Sequence, residues 1–415
     1  MNANIKKNMV WNALGNVVYL GCQWLVTILV TRLLGYEVAG VLSLAMSISA
    51  SFQTLALFGI RNFQVSDIKN QYSDSCYVGF RNITCLLALA LCILFALVNK
   101  YNTNTIISIV LFMLFRLAED YSDVLHGIFQ KNDKLYMAGQ SFFIRGFAVL
   151  IGFIAGYRIF RTLNGGLAVM TIVSICISLF FDLPIAIRLS DSKFFINIKN
   201  CLILAKETWL LCAYMFLGSV IVTAPKYILE KMASEEILGV YSSIFAPALL
   251  IQAATQYIYM PFISKLSIMF NDHDTKGFRA LSNKIVTTIC VIGLLILAIC
   301  ILLGEWCLKL LFTDSIAPYS DMLYLIIVGV FCHAVNVFYQ ALAVIVRSIK
   351  GLVVSCIIGV IVSCGVSAVA INIFSADGAS MGLIAGTLLA ALVLYICIDT
   401  KAKKVQCSAE TNKLS

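Results

Sequence analysis

Charge is what this sequence has least of. Only 12% of its 415 residues are Asp, Glu, Lys or Arg, and 61% are hydrophobic. A soluble domain carries about 25% charged residues. No water-facing surface of ordinary polarity can be assembled here, which all but excludes a soluble enzyme. The mean hydropathy of +0.94 excludes a disordered chain, because disorder needs low hydrophobicity. Other absences narrow the field. The fifteen cysteines contain no C-x-x-C pair and are scattered through apolar runs, as at Cys22, Cys92, Cys212 and Cys364. They read as small buried hydrophobes, not as a disulfide framework or metal site. His126, His273 and His333 form no H-x-x-x-H or Cys/His cluster, so no metal is expected. No glycine-rich phosphate loop occurs, so neither ATP hydrolysis nor a cofactor is expected. The net charge is +9, yet there is no long basic tail, aromatic-interleaved basic patch or zinc-finger spacing, which argues against nucleic acid. The bare D-x-D of Asp272-His273-Asp274 has no nucleotide domain beside it. It reads as a turn or helix cap, and the chain as no enzyme.

What is abundant is long apolar runs. A helix needs about 20 such residues to cross the bilayer core, so twelve spans would use about 240. The chain holds about 250 hydrophobic residues. The predicted fold class is therefore all-α integral membrane, with twelve helices near 11–33, 38–60, 82–98, 105–127, 137–157, 166–187, 204–229, 237–262, 285–303, 321–346, 351–374 and 378–399. Lys6 and Lys7 before an apolar run resemble a signal peptide. Asn12, Gly15 and Asn16 interrupt that run, which continues to Leu33 with no small-residue cleavage site, so it is read as a retained first span. With the N-terminus inside, 21 Lys and Arg fall in inner segments and seven in outer ones. Positive residues favour the cytoplasmic side, which predicts an even span count and both termini cytoplasmic. Arg158 and Arg161 are the local dissent. The longest central polar connector, 188–203, divides the chain six spans from six. The expected organisation is a six-helix lobe over 1–192, a cytoplasmic linker over 193–203 suited to an interfacial amphipathic helix, and a second six-helix lobe with a short basic tail over 204–415.

Charged residues within spans are costly and mark bundle interiors or wet cavities. The fourth span has the densest cluster. At 100° per residue, Arg116, Glu119, Asp120, Asp123 and Gly127 share an arc of about 100°. Arg145 on the fifth span lies at a similar depth, about 12 Å from the inner face, and is expected to meet Glu119 or Asp120 laterally. Two readings are open: a salt-bridged brace between helices, or a substrate and cation site lining a cavity. Asn8, Asn12, Asn16, Tyr19, Gln23 and Thr27 form a neutral stripe on the first span, fit either for interhelical hydrogen bonds or for sugar hydroxyls. Thr208, Cys212, Ser219, Thr223, Lys226 and Glu230 share a face on the seventh span, and His333, Asn336, Gln340 and Arg347 one on the tenth. Arg61 at the inner end of the second span reads as a snorkelling anchor or a lipid-phosphate contact. Pro184, Pro225, Pro247 and Pro261 predict kinks.

Several motifs carry a resemblance. Lys7-Asn8-x-x-Trp11-Asn12-x-x-Gly15, Arg32-x-Leu34-Gly35 and Gly59-Ile60-Arg61-Asn62-x-Gln64-x-Ser66-Asp67 are three of them. Arg116-x-x-Glu119-x-x-x-Asp123-x-x-x-Gly127-x-x-Gln130-Lys131 and Ser141-x-x-x-Arg145-Gly146 are two more. The sequence so resembles the O-antigen and capsule-type lipid-linked oligosaccharide flippases of the multidrug/oligosaccharidyl-lipid/polysaccharide exporter superfamily. The resemblance implies two six-helix lobes in a V around a central cavity, rocking between inward-open and outward-open states in a bacterial plasma membrane. It implies a polyprenyl-pyrophosphate-linked oligosaccharide as cargo, membrane lipids around it, and a glycan polymerase and assembly proteins as partners. Pyrophosphate calls for cations out of bulk water, and Arg suits it. Arg61, Arg116, Arg145 and Lys226 are the candidates. Asn12, Asn16, Gln23 and Gln256, with Gln252, Tyr257 and Tyr259 nearby, suit sugar hydroxyls. Without an ATPase motif, Glu119, Asp120 and Asp123 are the candidates for ion coupling. The alternative is a drug, cation or metabolite antiporter of the same superfamily.

Overall fold

A computed structural model describes the backbone of residues 3–67, 71–190, 198–312 and 314–414, with side chains except at 3–6, 62, 66, 249–254, 256, 257, 261, 314 and 404–414. Among the described residues every regular element is helical. They are α1 (Ala3–Leu57), α2 (Ile60–Ser66), α3 (Asp74–Val98), α4 (Thr103–Lys131), α5 (Leu135–Phe160), α6 (Leu163–Ile177), α7 (Leu183–Leu189), α8 (Ile198–Met232), α9 (Glu235–Tyr259), α10 (Ile263–Asn271), α11 (Thr275–Leu311), α12 (Met322–Ile345), α13 (Ile349–Phe374) and α14 (Ala376–Leu414). Nine of the described helices are long and apolar enough to cross a membrane, as expected of a multi-pass membrane protein. α4, with its ionised face, is not among the nine.

Each apolar window falls on a helix, and the breaks have local causes. α1 holds the first two windows and is interrupted at Gly35 (φ 86, ψ 174), a backbone that glycine adopts without steric cost. Caps start the later helices by satisfying an orphan amide. Ser73 accepts from the Cys76 amide at 3.3 Å, Asn102 from Thr105 at 2.8 Å and Thr162 from Gly165 at 3.1 Å. Asp274 of the D-x-D accepts from Gly277 at 2.9 Å, so that motif caps α11. A π-helical turn, Ser178–Asp182, joins α6 to α7 just before Pro184. Proline removes a backbone donor, and the widened turn absorbs the mismatch. Pro225 and Pro247 lie within α8 and α9, and Pro261 in a 3-10 turn.

Several helices start earlier than the windows. α3 begins at Asp74, eight residues before its window, because capped polar turns extend it beyond its apolar part. Arg81 therefore sits two turns inside a helix and is fully buried, where the sequence reading placed it in a connector. The chain divides into two compact units, Met1–Ser219 and Val220–Ser415, with α8 contributing to both. Of the expected linker, residues 193–197 lie outside the described residues and 198–203 open α8.

In the first unit α4 packs against α1, α3, α5, α6 and the short α2 and α7. Glycines set the α1–α5 seam. A Cβ at Gly15 would lie 2.0 Å from the Gly139 carbonyl oxygen, and one at Gly139 2.2 Å from that of Trp11. In the second unit the α13–α14 seam is built likewise, with Gly378 against the Ala370–Ile371 backbone and Gly382 against Ser367.

Candidate functional site

The ionised face of α4 divides into three clusters, each completed by a different neighbour. Towards the C-terminal end of α4, Asp123 is held by two cations: Arg61 Nη1 at 2.7 Å and Arg81 Nη2 at 3.1 Å. Arg61 also reaches Gln130 at 3.4 Å, and Arg81 donates to the Ala56 carbonyl at 2.9 Å. Gln64 lies over Gly127, where a Cβ would fall 2.1 Å from its Oε1, and donates to the Val124 carbonyl at 3.2 Å. Asp67 closes the turn after α2 by accepting from the amides of Gln71 and Tyr72 and from the Tyr77 hydroxyl. Burial opposes its ionisation, but those donors outweigh burial and hold its carboxyl below the usual carboxylate range.

In the middle of α4, Arg116 Nη1 pairs with Glu119 Oε2 at 2.9 Å. Tyr19 of α1 donates to the other Glu119 oxygen. Gln53 donates to Asp120 Oδ1 at 2.7 Å. Valences stay open here. Asp120 Oδ2 and Arg116 Nε are buried without a hydrogen-bond partner, and a guanidinium carries five donors. The Arg116 side chain keeps 26% of its surface exposed, and Arg61 27%.

The third cluster corrects an expectation. Arg145 does not bond to Glu119 or Asp120. Its Nη2 meets Asp182 Oδ2 at 3.0 Å and Ser178 Oγ at 3.0 Å, and also reaches Ser122. His126 Nε2 takes the other Asp182 oxygen at 3.1 Å. Arg145, His126 and Asp182 are each 1% exposed or less. The π-turn carries Asp182 to the α5-facing side of α6, which the rotation of α4 alone could not reveal. Sequence reasoning passed over Asp182 although an acid inside an apolar window is itself a signal, and it missed Arg81 through the helix boundary.

The neutral stripe of α1 divides by position. Asn8 donates to the Asp133 carbonyl and accepts from the Tyr136 amide, both at 2.9 Å. Asn16 folds back on Asn12, at 2.7 Å to its carbonyl. Gln23 Nε2 is buried without a hydrogen-bond partner. In the second unit Lys226 lies 4.2 Å over the Phe245 ring. Gln256, with Gln252 and Tyr257, lies outside the described side chains; Tyr259 packs on Phe338. On α12, Asn336 is fully buried with both amide atoms unpartnered, and His333 Nδ1 is likewise orphaned.

The charged motifs therefore form one bracket of α1, α2, α3 and α4 around a partly open Arg–Glu–Asp centre. Known proteins share the sequence family and the fold. The chain is 27% identical over 331 residues to the capsular polysaccharide biosynthesis protein CapF of Staphylococcus aureus, over 78% of this chain and 81% of that protein. Its fold is similar to an inward-facing multidrug resistance MATE family transporter of the MOP superfamily, with TM-score 0.70 and 12% identity, covering 96% of this chain and 99% of that one. It is equally similar to the lipid II flippase MurJ in an inward closed conformation, with TM-score 0.70 and 14% identity, covering 96% and 90%. The pattern of the polysaccharide biosynthesis proteins matches residues 5–267, more than half of the sequence and all three α4 clusters, so the chain belongs to that family.

Proposed function

We propose that the protein is a flippase that moves a polyprenyl-pyrophosphate-linked oligosaccharide from the cytoplasmic to the outer leaflet of a bacterial plasma membrane. The observation that carries this reading is the middle of α4. Arg116 is partly exposed within an apolar bundle, retains donors beyond its bond to Glu119, and has Arg61 two turns of α4 away through Asp123. Two guanidiniums with free donors suit a pyrophosphate, while the polyprenyl tail stays in lipid. Lys226 is the further cation proposed for substrate binding. Asn12, Asn16, Gln23 and Gln256 are the polar side chains proposed for the sugar.

The proposed architecture has twelve spans as lobes 1–192 and 204–415, with a cytoplasmic linker, cytoplasmic termini and alternating access. Glu119 and Asp120 are the proposed coupling groups. Asp120 has an unpartnered carboxylate oxygen in a buried setting, the setting in which binding a proton or cation is favourable. Asp123 was a third candidate, but its two arginine partners suit it to positioning Arg61. One charge crossing 100 mV is worth about 2.3 kcal/mol, so one coupled proton supplies a useful bias. A polymerase on the outer face is the proposed consumer of the product.

The test is leaflet location. Delete the gene and measure how much lipid-linked oligosaccharide on spheroplasts is open to periodate. The expected result is cytoplasmic accumulation, rescued by wild type and not by Arg116→Ala or Arg61→Gln. Normal outward glycan in the deletion strain overturns the reading and favours an antiporter, checked by accumulation of a cationic dye.

A further inference from the structure

We propose that a cavity of about 650 Å³ at the opposite end of the first unit is a glycan-binding subsite that holds sugar hydroxyls of the cargo on the outer face. The proposal rests on the flippase reading for its cargo and orientation. The cavity lies where α1 bends at Gly35 and where α4 and α6 begin, far along α4 from Arg61 and Asp123. Its volume falls within the range of about 300–1,000 Å³ typical of small-molecule sites.

Its walls are of two kinds. Leu34, Val38 and Val41 of α1 make an aliphatic face. Facing them are amides and hydroxyls from α4 and α6. Ser108 donates to Asn164 Oδ1 at 2.6 Å, and Asn164 Nδ2 donates to the Asn104 carbonyl at 3.3 Å. These bonds fix the floor. The Asn104 amide, the Thr103 hydroxyl and the Arg161 guanidinium at the rim have no protein partner among the described residues. The two helix starts are already capped by Asn102 and Thr162, so the site does not depend on their amides.

This chemistry selects one class of ligand. A sugar ring presents hydroxyl edges and C–H faces, and an amide meets a hydroxyl as donor and acceptor at once. No carboxylate lines the cavity, which disfavours a cation. Its polar half disfavours an apolar drug. Arg161 adds a bidentate partner for a carboxylate or phosphate on an acidic sugar. That role also accounts for Arg161 standing at an outer turn, against the charge bias that places cations inside.

The test uses the full-length protein in nanodiscs. The probe is the pyrophosphate-free oligosaccharide released by mild acid from the lipid-linked precursor of the cell that carries the protein. Saturable binding is expected by calorimetry and saturation-transfer NMR. Thr103→Ala with Asn104→Ala should weaken it about tenfold, as two lost hydrogen bonds would. Arg161→Gly suits the left-handed backbone there (φ 56) and should weaken an acidic glycan similarly. Binding of farnesyl pyrophosphate should be unchanged in both variants. No glycan binding to wild type, or binding that neither variant alters, overturns the subsite. The leaflet assay separates the two readings. Normal outward glycan in the deletion strain with pocket-dependent binding keeps the subsite and sinks the flippase. A transport defect in Arg116→Ala with no pocket effect on binding does the reverse.

Discussion

Two of the three arginine–carboxylate clusters on α4, those of Arg116 and Arg145, differ in exposure and in how fully the carboxylate is taken. Around Arg145 both Asp182 oxygens are taken and three serines meet the guanidinium; Arg145, His126 and Asp182 are each 1% exposed or less, and Arg145 Nε and His126 Nδ1 have no partner. Around Arg116 one carboxylate oxygen of Asp120 and the Arg116 Nε lack partners, and about a quarter of the Arg116 side chain is exposed. Both centres look alike as residue types in a sequence. The difference lies in the carboxylate and in exposure: a buried acid with both oxygens taken braces helices, whereas an open carboxylate oxygen beside a partly exposed guanidinium is where a ligand can bind. The second unit adds a third case. Its α12 face holds the orphaned amide of Asn336 and no acid among its polar residues.

The largest expected effect would break the brace. Arg145→Met takes the guanidinium from Asp182 and leaves it with its His126 contact, and breaking a buried pair by removing one partner costs about 3–5 kcal/mol. The melting temperature in detergent should fall sharply, and Arg145→Met with Asp182→Leu should recover much of the loss. Wild-type stability in the single variant would erase the contrast between the two centres.

Next comes Arg116→Ala, which should fold. Loss of a charge-assisted hydrogen bond of about 1.5–3 kcal/mol should slow appearance of outer-leaflet precursor roughly tenfold to a hundredfold. Rate measurements on spheroplasts beside a thermal melt would show whether transport falls without stability.

A smaller change tests the bracket that holds Arg61 near α4. Gly127→Ala places a methyl on the Gln64 amide, an overpacking expected to cost about 1–3 kcal/mol. Adding Gln64→Ala should relieve most of the strain, read as recovery of the melting temperature.

Asp67→Asn should have the smallest effect, under about 1.5 kcal/mol, and it depends on pH. The folded state lowers the Asp67 pKa, so its stabilisation is fully present above the usual aspartate value near 4. It is lost as pH falls through the lowered folded value. The gap in melting temperature between wild type and variant should be constant near neutrality and close in acid.

How far the sequence carried can be judged residue by residue. The ionised face of α4 was legible from periodicity, because 100° per residue fixes which side chains share a face. The bend near Gly35 was legible from the gap between two apolar windows. Asp274 as a cap was legible from its turn chemistry. Arg81 was not, because hydropathy marks where lipid begins and not where a capped helix begins. Asp182 as the partner of Arg145 was not, because a π-turn shifts the phase of α6 relative to a regular helix.

The sequence alone thus determined that the chain is helical and apolar, where its runs break, and at what height on α4 its charges stand. Those features follow from composition and the 3.6-residue repeat, which are properties of single segments. Tertiary structure decided the pairings: Arg145 with Asp182, Asp123 with both Arg61 and Arg81, Gln64 on Gly127. Which charge is quenched and which stays open depends on the rotation and start of a neighbouring helix, and no single segment encodes its neighbour.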